Sequence, residues 1–181
     1  MSGQGSTDQD LWVNWREYHR LIERLALSIY DSGWEFDQIL CLARGGLRVG
    51  DVLSRLFDRP LAILSTSSYR GQGGTEQGEL IISASISSTA GPLQGKVLVV
   101  DDLADSGATL TAVASHLRAK FSEVSEIRTA VLWWKPQSSF APDFYVDKLL
   151  TNSWIHQPFE RYDTLTPQDM RLLPEKENED P

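Results

Sequence analysis

Positions 96–100 read KVLVV, and these five residues run straight into two neighbouring acids, Asp101 and Asp102. A short, unbroken apolar run rich in Val belongs to a central parallel strand covered on both faces; a half-exposed strand would alternate instead. A turn of small residues follows (LADSGAT, 103–109), and Leu110, Val113, Ala114 and Leu117 then recur at helical spacing. Parallel strands need crossover connections, so this segment commits the chain to an α/β architecture. In open sheets of that kind ligands bind outside the carboxyl ends of the strands, where the two acids fall.

The rest of the sequence repeats the alternation. A first helix is expected from about Trp15 to Tyr30, with Asn14 as N-cap and Glu17 at N3. Tyr18, Leu21, Ile22, Leu25 and Ile29 form its apolar face. Phe36 to Ala43 reads as a strand ending in Arg44-Gly45-Gly46. A second helix carries Val49, Val52, Leu53, Leu56 and Phe57 on one side and is broken by Pro60. Further strands are expected at 61–66, 80–86, 126–134 and 143–146. The glycine-rich stretch 67–79 between two of them reads as a mobile loop or hairpin tip, and 152–159 as irregular but aromatic. The fold class is therefore α/β, with a mostly parallel central sheet flanked by helices. One domain is expected over 11–173, including a segment at 134–160, between polar tails at 1–10 and 174–181.

Charge narrows the ligands. The formal net charge is −8; residues 1–10 carry −2 and residues 175–181 carry −3, leaving −3 on the body. Such a body has no general basic field for nucleic acid. No run of 18 apolar residues offers a membrane span, and the polar start MSGQGSTDQD lacks a targeting pattern, so a cytoplasmic protein is expected. A single cysteine, Cys41, excludes a disulfide framework or a multi-cysteine zinc site within the chain. It lies in a buried-strand pattern.

An anion must then be held by local devices. The turn Ala104-Asp105-Ser106-Gly107-Ala108-Thr109 gathers backbone N–H groups at a helix N-terminus, Ser106 and Thr109 add hydroxyls, and Gly107 permits close approach. Two acids beside such a cradle suit a sugar phosphate, the anion on the loop and the ring hydroxyls on the carboxylates. Residue by residue, blander readings stay open: a helix cap for the acids, a turn residue for Asp105, a glycine turn at 44–46, a solvent charge for Lys135 and a core aromatic for Trp154. Trp133 and Trp134 read as core or interface.

The stretch VLVVDDLADSGATL resembles the phosphoribosyl-pyrophosphate signature of type I phosphoribosyltransferases. Ala43-Arg44-Gly45-Gly46-Leu47, Ser68-Tyr69, Trp134-Lys135-Pro136 and Trp154-Ile155-His156-Gln157-Pro158-Phe159 are similar to the 6-oxopurine branch, in order and spacing, over about 12–162. The resemblance implies transfer of phosphoribose from phosphoribosyl pyrophosphate to guanine, xanthine or hypoxanthine for purine salvage, with Mg2+ as cofactor. It implies that Asp101 and Asp102 hold the ribose hydroxyls and, through water, the metal. Asp105 would be the general base, and residues 104–109 would cradle the 5′-phosphate. Arg44, Gly45, Tyr69 and Arg70 would take pyrophosphate, and a small hood at about 67–86 would close over the site. Lys135 would donate to the 6-oxo group, Trp154 would stack on the base, and Ile155 would contact it through its backbone carbonyl. A homo-oligomer, dimer or tetramer, is expected on the same ground.

Two departures from the branch stand out. No arginine follows in the loop at Thr75-Glu76-Gln77, and His156 stands where a carboxylate is usual. The alternatives are a non-catalytic regulator that senses phosphoribosyl pyrophosphate or a nucleotide, and a phosphoribosyltransferase for another base. The low body charge and the presence of Asp105 and Lys135 weigh against the regulator.

Overall fold

The computed structural model describes residues 10–68 and 80–172. Helix α1 (Trp15–Asp31) begins where its sequence says it should. The Asn14 side chain accepts from the Glu17 N–H at 2.9 Å, and the Glu17 carboxylate accepts from the Asn14 N–H at 3.2 Å. Tyr18, Leu21, Ile22, Leu25, Ala26 and Ile29 are buried on one side of it. Burying a Leu or Ile side chain is worth about 1.5–3 kcal/mol, so this face holds the helix more firmly than intrinsic propensity does.

Strand β2 (Gln38–Ala43) is followed by α2 (Gly46–Phe57) and β3 (Leu61–Ser68). Asp58 closes α2 in the left-handed conformation, with φ 49°, two residues before Pro60. Leu56 fits the helical spacing but is exposed: α2 buries a stripe narrower than the sequence suggests, set by Val49 and Leu53. Strand β3 runs to Ser68, two residues further than expected, because it pairs antiparallel with β4 (Leu80–Ser88) in a register that joins Ser68 to Leu80. Most of the expected hood loop, including Tyr69 and Arg70, lies outside the described residues.

Strand β5 (Gly95–Val100), the two-residue β6 (Leu103–Ala104), α3 (Ala108–Lys120), β7 (Val124–Trp134) and β8 (Phe144–Lys148) complete the sheet. Its order is β4-β3-β2-β5-β7, with β6 continuing the β5 edge of β7 and β8 pairing on the other edge. Every pairing in it is parallel except β3 with β4. Alternation along the strands sorts the core into two layers. Ile39, Cys41, Leu98, Val100 and Leu132 face α1 and α2; Leu40, Leu42, Val97, Val99 and Val131 face α3.

The aromatic stretch 152–159 is less irregular than its sequence suggests. Ile155–His156 (β9) pairs parallel with Leu11–Trp12 (β1), a ribbon of two residues per strand that carries no periodicity to read. A 3₁₀ turn at Glu160–Asp163 and a short helix α4 (Pro167–Met170) follow. Among the described residues no helix is long and apolar enough to cross a membrane.

Candidate functional site

Topology puts the site between β2 and β5. From β2 the chain moves outward to β3, and from β5 it moves the other way to β7, so a crevice opens where the two directions part. Cys41 pairs with Val100, and Val100 with Ala130. The loops after β2, β5 and β7 therefore leave the sheet at one end, bringing Arg44-Gly45, Asp101-Asp102 and Lys135 together.

The acid pair is built into the backbone. The Asp102 carbonyl accepts from the N–H groups of Leu132 and Trp133 at 3.0 and 3.2 Å, and Asp101 Oδ1 accepts from the Asp102 N–H at 3.0 Å. Asp101 is half-buried beside the N-terminus of α2. Burial first, and the Asp102 charge second, hold its carboxyl well above the usual carboxylate range. Asp102 Oδ2 accepts from Gln157 Nε2 at 2.6 Å. Gly45 and Gly46 are glycine for a steric reason: a Cβ at Gly45 would be forced onto Asp102 Oδ1, and one at Gly46 onto the Val100 carbonyl.

The turn after the acids opens α3. Gly107 has φ 82°, and a Cβ there would come 2.6 Å from the Phe140 nitrogen. The N-cap, Gly107, has no side chain to cap α3, so most backbone donors of its first turn are left without a capping partner. Ser106 Oγ accepts from the Ala108 N–H at 3.3 Å, and the Ser106 carbonyl accepts from both the N–H and the Oγ of Ser139. Ala104 is buried, Thr109 is half-buried, and Asp105, Ser106 and Ala108 are exposed.

Lys135 is not the solvent charge that a strand-end lysine suggests. Its side chain is 6% exposed, and its Nζ lies 3.3 Å from the half-exposed Asp105 carboxylate, which Gln137 also contacts. The same Nζ stands 5.9 Å from the centre of the Trp154 ring. Trp154 is exposed and donates its Nε1–H to Glu160 at 3.4 Å. The Ile155 side chain is core, so it presents no side-chain contact to a ligand. The β1–β9 ladder uses the carbonyls of Trp154 and His156, which leaves the Ile155 carbonyl on the other edge of the strand. His156 stacks on Trp12 at 3.7 Å, with Asp10 3.1 Å from its Nε2 and Glu160 3.6 Å from its Nδ1.

Arg44 projects from the other side of the crevice. Its guanidinium is exposed and pairs with Asp163 at 3.4 Å, over a cleft of about 670 Å³ that Gly45, Arg48 and Phe159 also line. Gln137, Gln157, Glu160 and Asp163 escape a sequence reading. Gln157 sits in the WIHQPF segment, three residues after Trp154, but only the fold brings it under Asp102.

The phosphoribosyl transferase domain model matches residues 14–164. The chain belongs to the phosphoribosyl transferase family. A xanthine-guanine phosphoribosyltransferase from Gluconobacter oxydans is 30% identical over 161 residues, which is 88% of this chain and 89% of that one. The crystal structure of a purine phosphoribosyltransferase from Pyrococcus horikoshii is 32% identical, covers 83% of this chain and 93% of its own, and superposes with a TM-score of 0.68. A xanthine-guanine-hypoxanthine phosphoribosyltransferase from Helicobacter pylori shares the fold at 22% identity, with a TM-score of 0.71 over 91% of this chain and 100% of its own. The parallel sheet flanked by helices is thus the architecture that the sequence resemblance implies.

Proposed function

We propose that this chain transfers the 5-phosphoribosyl group from phosphoribosyl pyrophosphate to a 6-oxopurine, forming a purine nucleoside monophosphate and releasing pyrophosphate. The observation that carries this reading is the pair Asp105 and Lys135, 3.3 Å apart beside Trp154. A 6-oxopurine presents a carbonyl oxygen and the imidazole-ring nitrogen N7 side by side on one edge. Lys135 donates to the oxygen, the Asp105 carboxylate accepts from N7–H, and Trp154 supports the ring face. The other imidazole nitrogen, N9, attacks the ribose anomeric carbon as the bond to pyrophosphate breaks, and Asp105 takes the N7 proton. Positive charge gathers on the sugar ring in the transition state, as in glycoside hydrolysis.

Residues 104–109 hold the 5′-phosphate on backbone N–H groups at the start of α3. Asp101 and Asp102 accept from the ribose hydroxyls, and Arg44 and Gly45 face the pyrophosphate, with Arg44 exchanging Asp163 for the leaving group. The adjacent carboxylates also fit Mg2+, a hard cation commonly held by one or two carboxylates, water and substrate phosphates. Magnesium, when bound, offsets charge on the departing pyrophosphate.

The test is pyrophosphate release from phosphoribosyl pyrophosphate and Mg2+ with guanine, xanthine, hypoxanthine or adenine. Turnover of at least one 6-oxopurine and none of adenine is expected, since the 6-amino group offers Lys135 a donor in place of an acceptor. Nucleotide binding without turnover of any base would favour a regulator on the same fold.

A further inference from the structure

Gln157 is a polar side chain set almost wholly inside the protein. Only 9% of it is exposed, and its Nε2 donates to Asp102 Oδ2 at 2.6 Å. That distance is short even for a hydrogen bond to a charged acceptor. The direction of the amide is fixed by its partner, because a carboxylate can only accept and the reversed amide would set oxygen against oxygen. Gln157 Oε1 is then buried with no hydrogen-bond partner among the described residues. Retaining an amide whose acceptor goes unpaired makes little sense for packing. An apolar side chain of the same length would fill the space without an orphaned oxygen. What the amide supplies is its donor.

The Asp102 backbone is held at its carbonyl by Leu132 and Trp133, and its side chain also meets the Asp101 carboxyl, a neighbour on the same stretch of chain. Its side chain remains free to turn about χ1 and χ2 unless something grips the carboxylate. Oδ1 occupies the space that a Cβ at Gly45 would fill, and Gln157 takes Oδ2. Gln157 also follows Trp154 by three residues, so one short segment reaches the base on one side and the acid on the other.

We infer that Gln157 is a positioning residue, which fixes the rotamer of Asp102 so that the free edge of its carboxylate meets the ribose hydroxyls of the bound phosphoribosyl group. This rests on the reading of the acid pair given above. The test compares two ligands that differ only in those hydroxyls, GMP and 2′,3′-dideoxy-GMP, titrated calorimetrically without metal into the full chain and its Gln157→Met variant. The unaltered chain binds GMP more tightly than the dideoxy analogue. In Q157M affinity for GMP falls about tenfold, while affinity for the dideoxy analogue is unchanged. In turnover, KM for phosphoribosyl pyrophosphate rises and KM for the base does not.

Equal loss for both ligands would mean that Gln157 only supports the fold, and no loss for either would mean that Asp102 needs no support; both overturn the inference. If Q157M does not fold, Gln157→Asn keeps an amide but draws its donor back from Oδ2 by one methylene, and the same selective loss is expected of it. Failure of the unaltered chain to distinguish the two nucleotides would overturn the ribose role of the acid pair itself, and this inference with it.

Discussion

At the residue scale the proposed chemistry rests on Asp105 and Lys135, and their environments differ in a useful way. Lys135 is buried and Asp105 half-exposed, so the cation is held in place while the carboxylate stays open to a ligand. Asp105→Asn removes the proton acceptor but keeps the shape, and kcat is expected to fall by about 10²–10⁴-fold while GMP affinity changes little. Steady-state kinetics and calorimetry on the one variant check both halves; unchanged turnover would remove the general base from the account. Cys41 has no such task. Burial, and after it the charges of Asp101 and Asp51, push its thiol up to about 12 from an ordinary value of 9. The folded state therefore favours the protonated thiol. That contribution is complete below pH 9 and is lost as pH rises towards 12, where the unfolded chain ionises first. The folded protein should resist iodoacetamide at pH 8 and react once denatured; labelling of the native chain at the rate of a free thiol would contradict this.

Among the elements, the contact of α2 with β2 is the tightest that the glycines report. A Cβ at Gly50 would be forced onto Cys41 Sγ, whereas the distance to Cys41 Cβ is 3.4 Å. Gly50→Ala should thus cost about 1–3 kcal/mol in denaturant unfolding, and markedly less when measured against a Cys41→Ala parent. An equal cost in both backgrounds would show that the sulfur is not the obstacle. This packing brings the start of α2, and Gly45 with it, against the acids. Elements with long apolar runs or strong periodicity were legible in the sequence, β2, β5 and β7 by continuity and α1 and α3 by spacing. The β1–β9 ribbon was not, because two residues per strand show no period. Leu56 followed the helical period and yet is exposed, because spacing gives a direction on the helix and not the width of what covers it.

At the scale of the molecule, parallel order fixes which loops share an end, and that is why so much of the site could be read from one stretch. The VLVVDDLADSGATL run contains strand, acids, loop and helix start in one covalent piece, so its geometry is local. The proposed base side is assembled from three separate places, Lys135 just after β7, Trp154 just before β9 and the turn at Glu160, and its contacts exist only in the fold. Gln157 belongs to that second kind, as does the Arg44–Asp163 pair on the side proposed for pyrophosphate. The central claim is that all of these groups serve one phosphoribosylated purine. A crystal structure of the chain with GMP tests it most directly. The account predicts the 5′-phosphate on the N–H groups of 104–109, the ribose against Asp101 and Asp102, and the purine edge on Lys135 and Asp105 with Trp154 at its face. A nucleotide bound elsewhere, or one whose base lies away from Lys135, would contradict it.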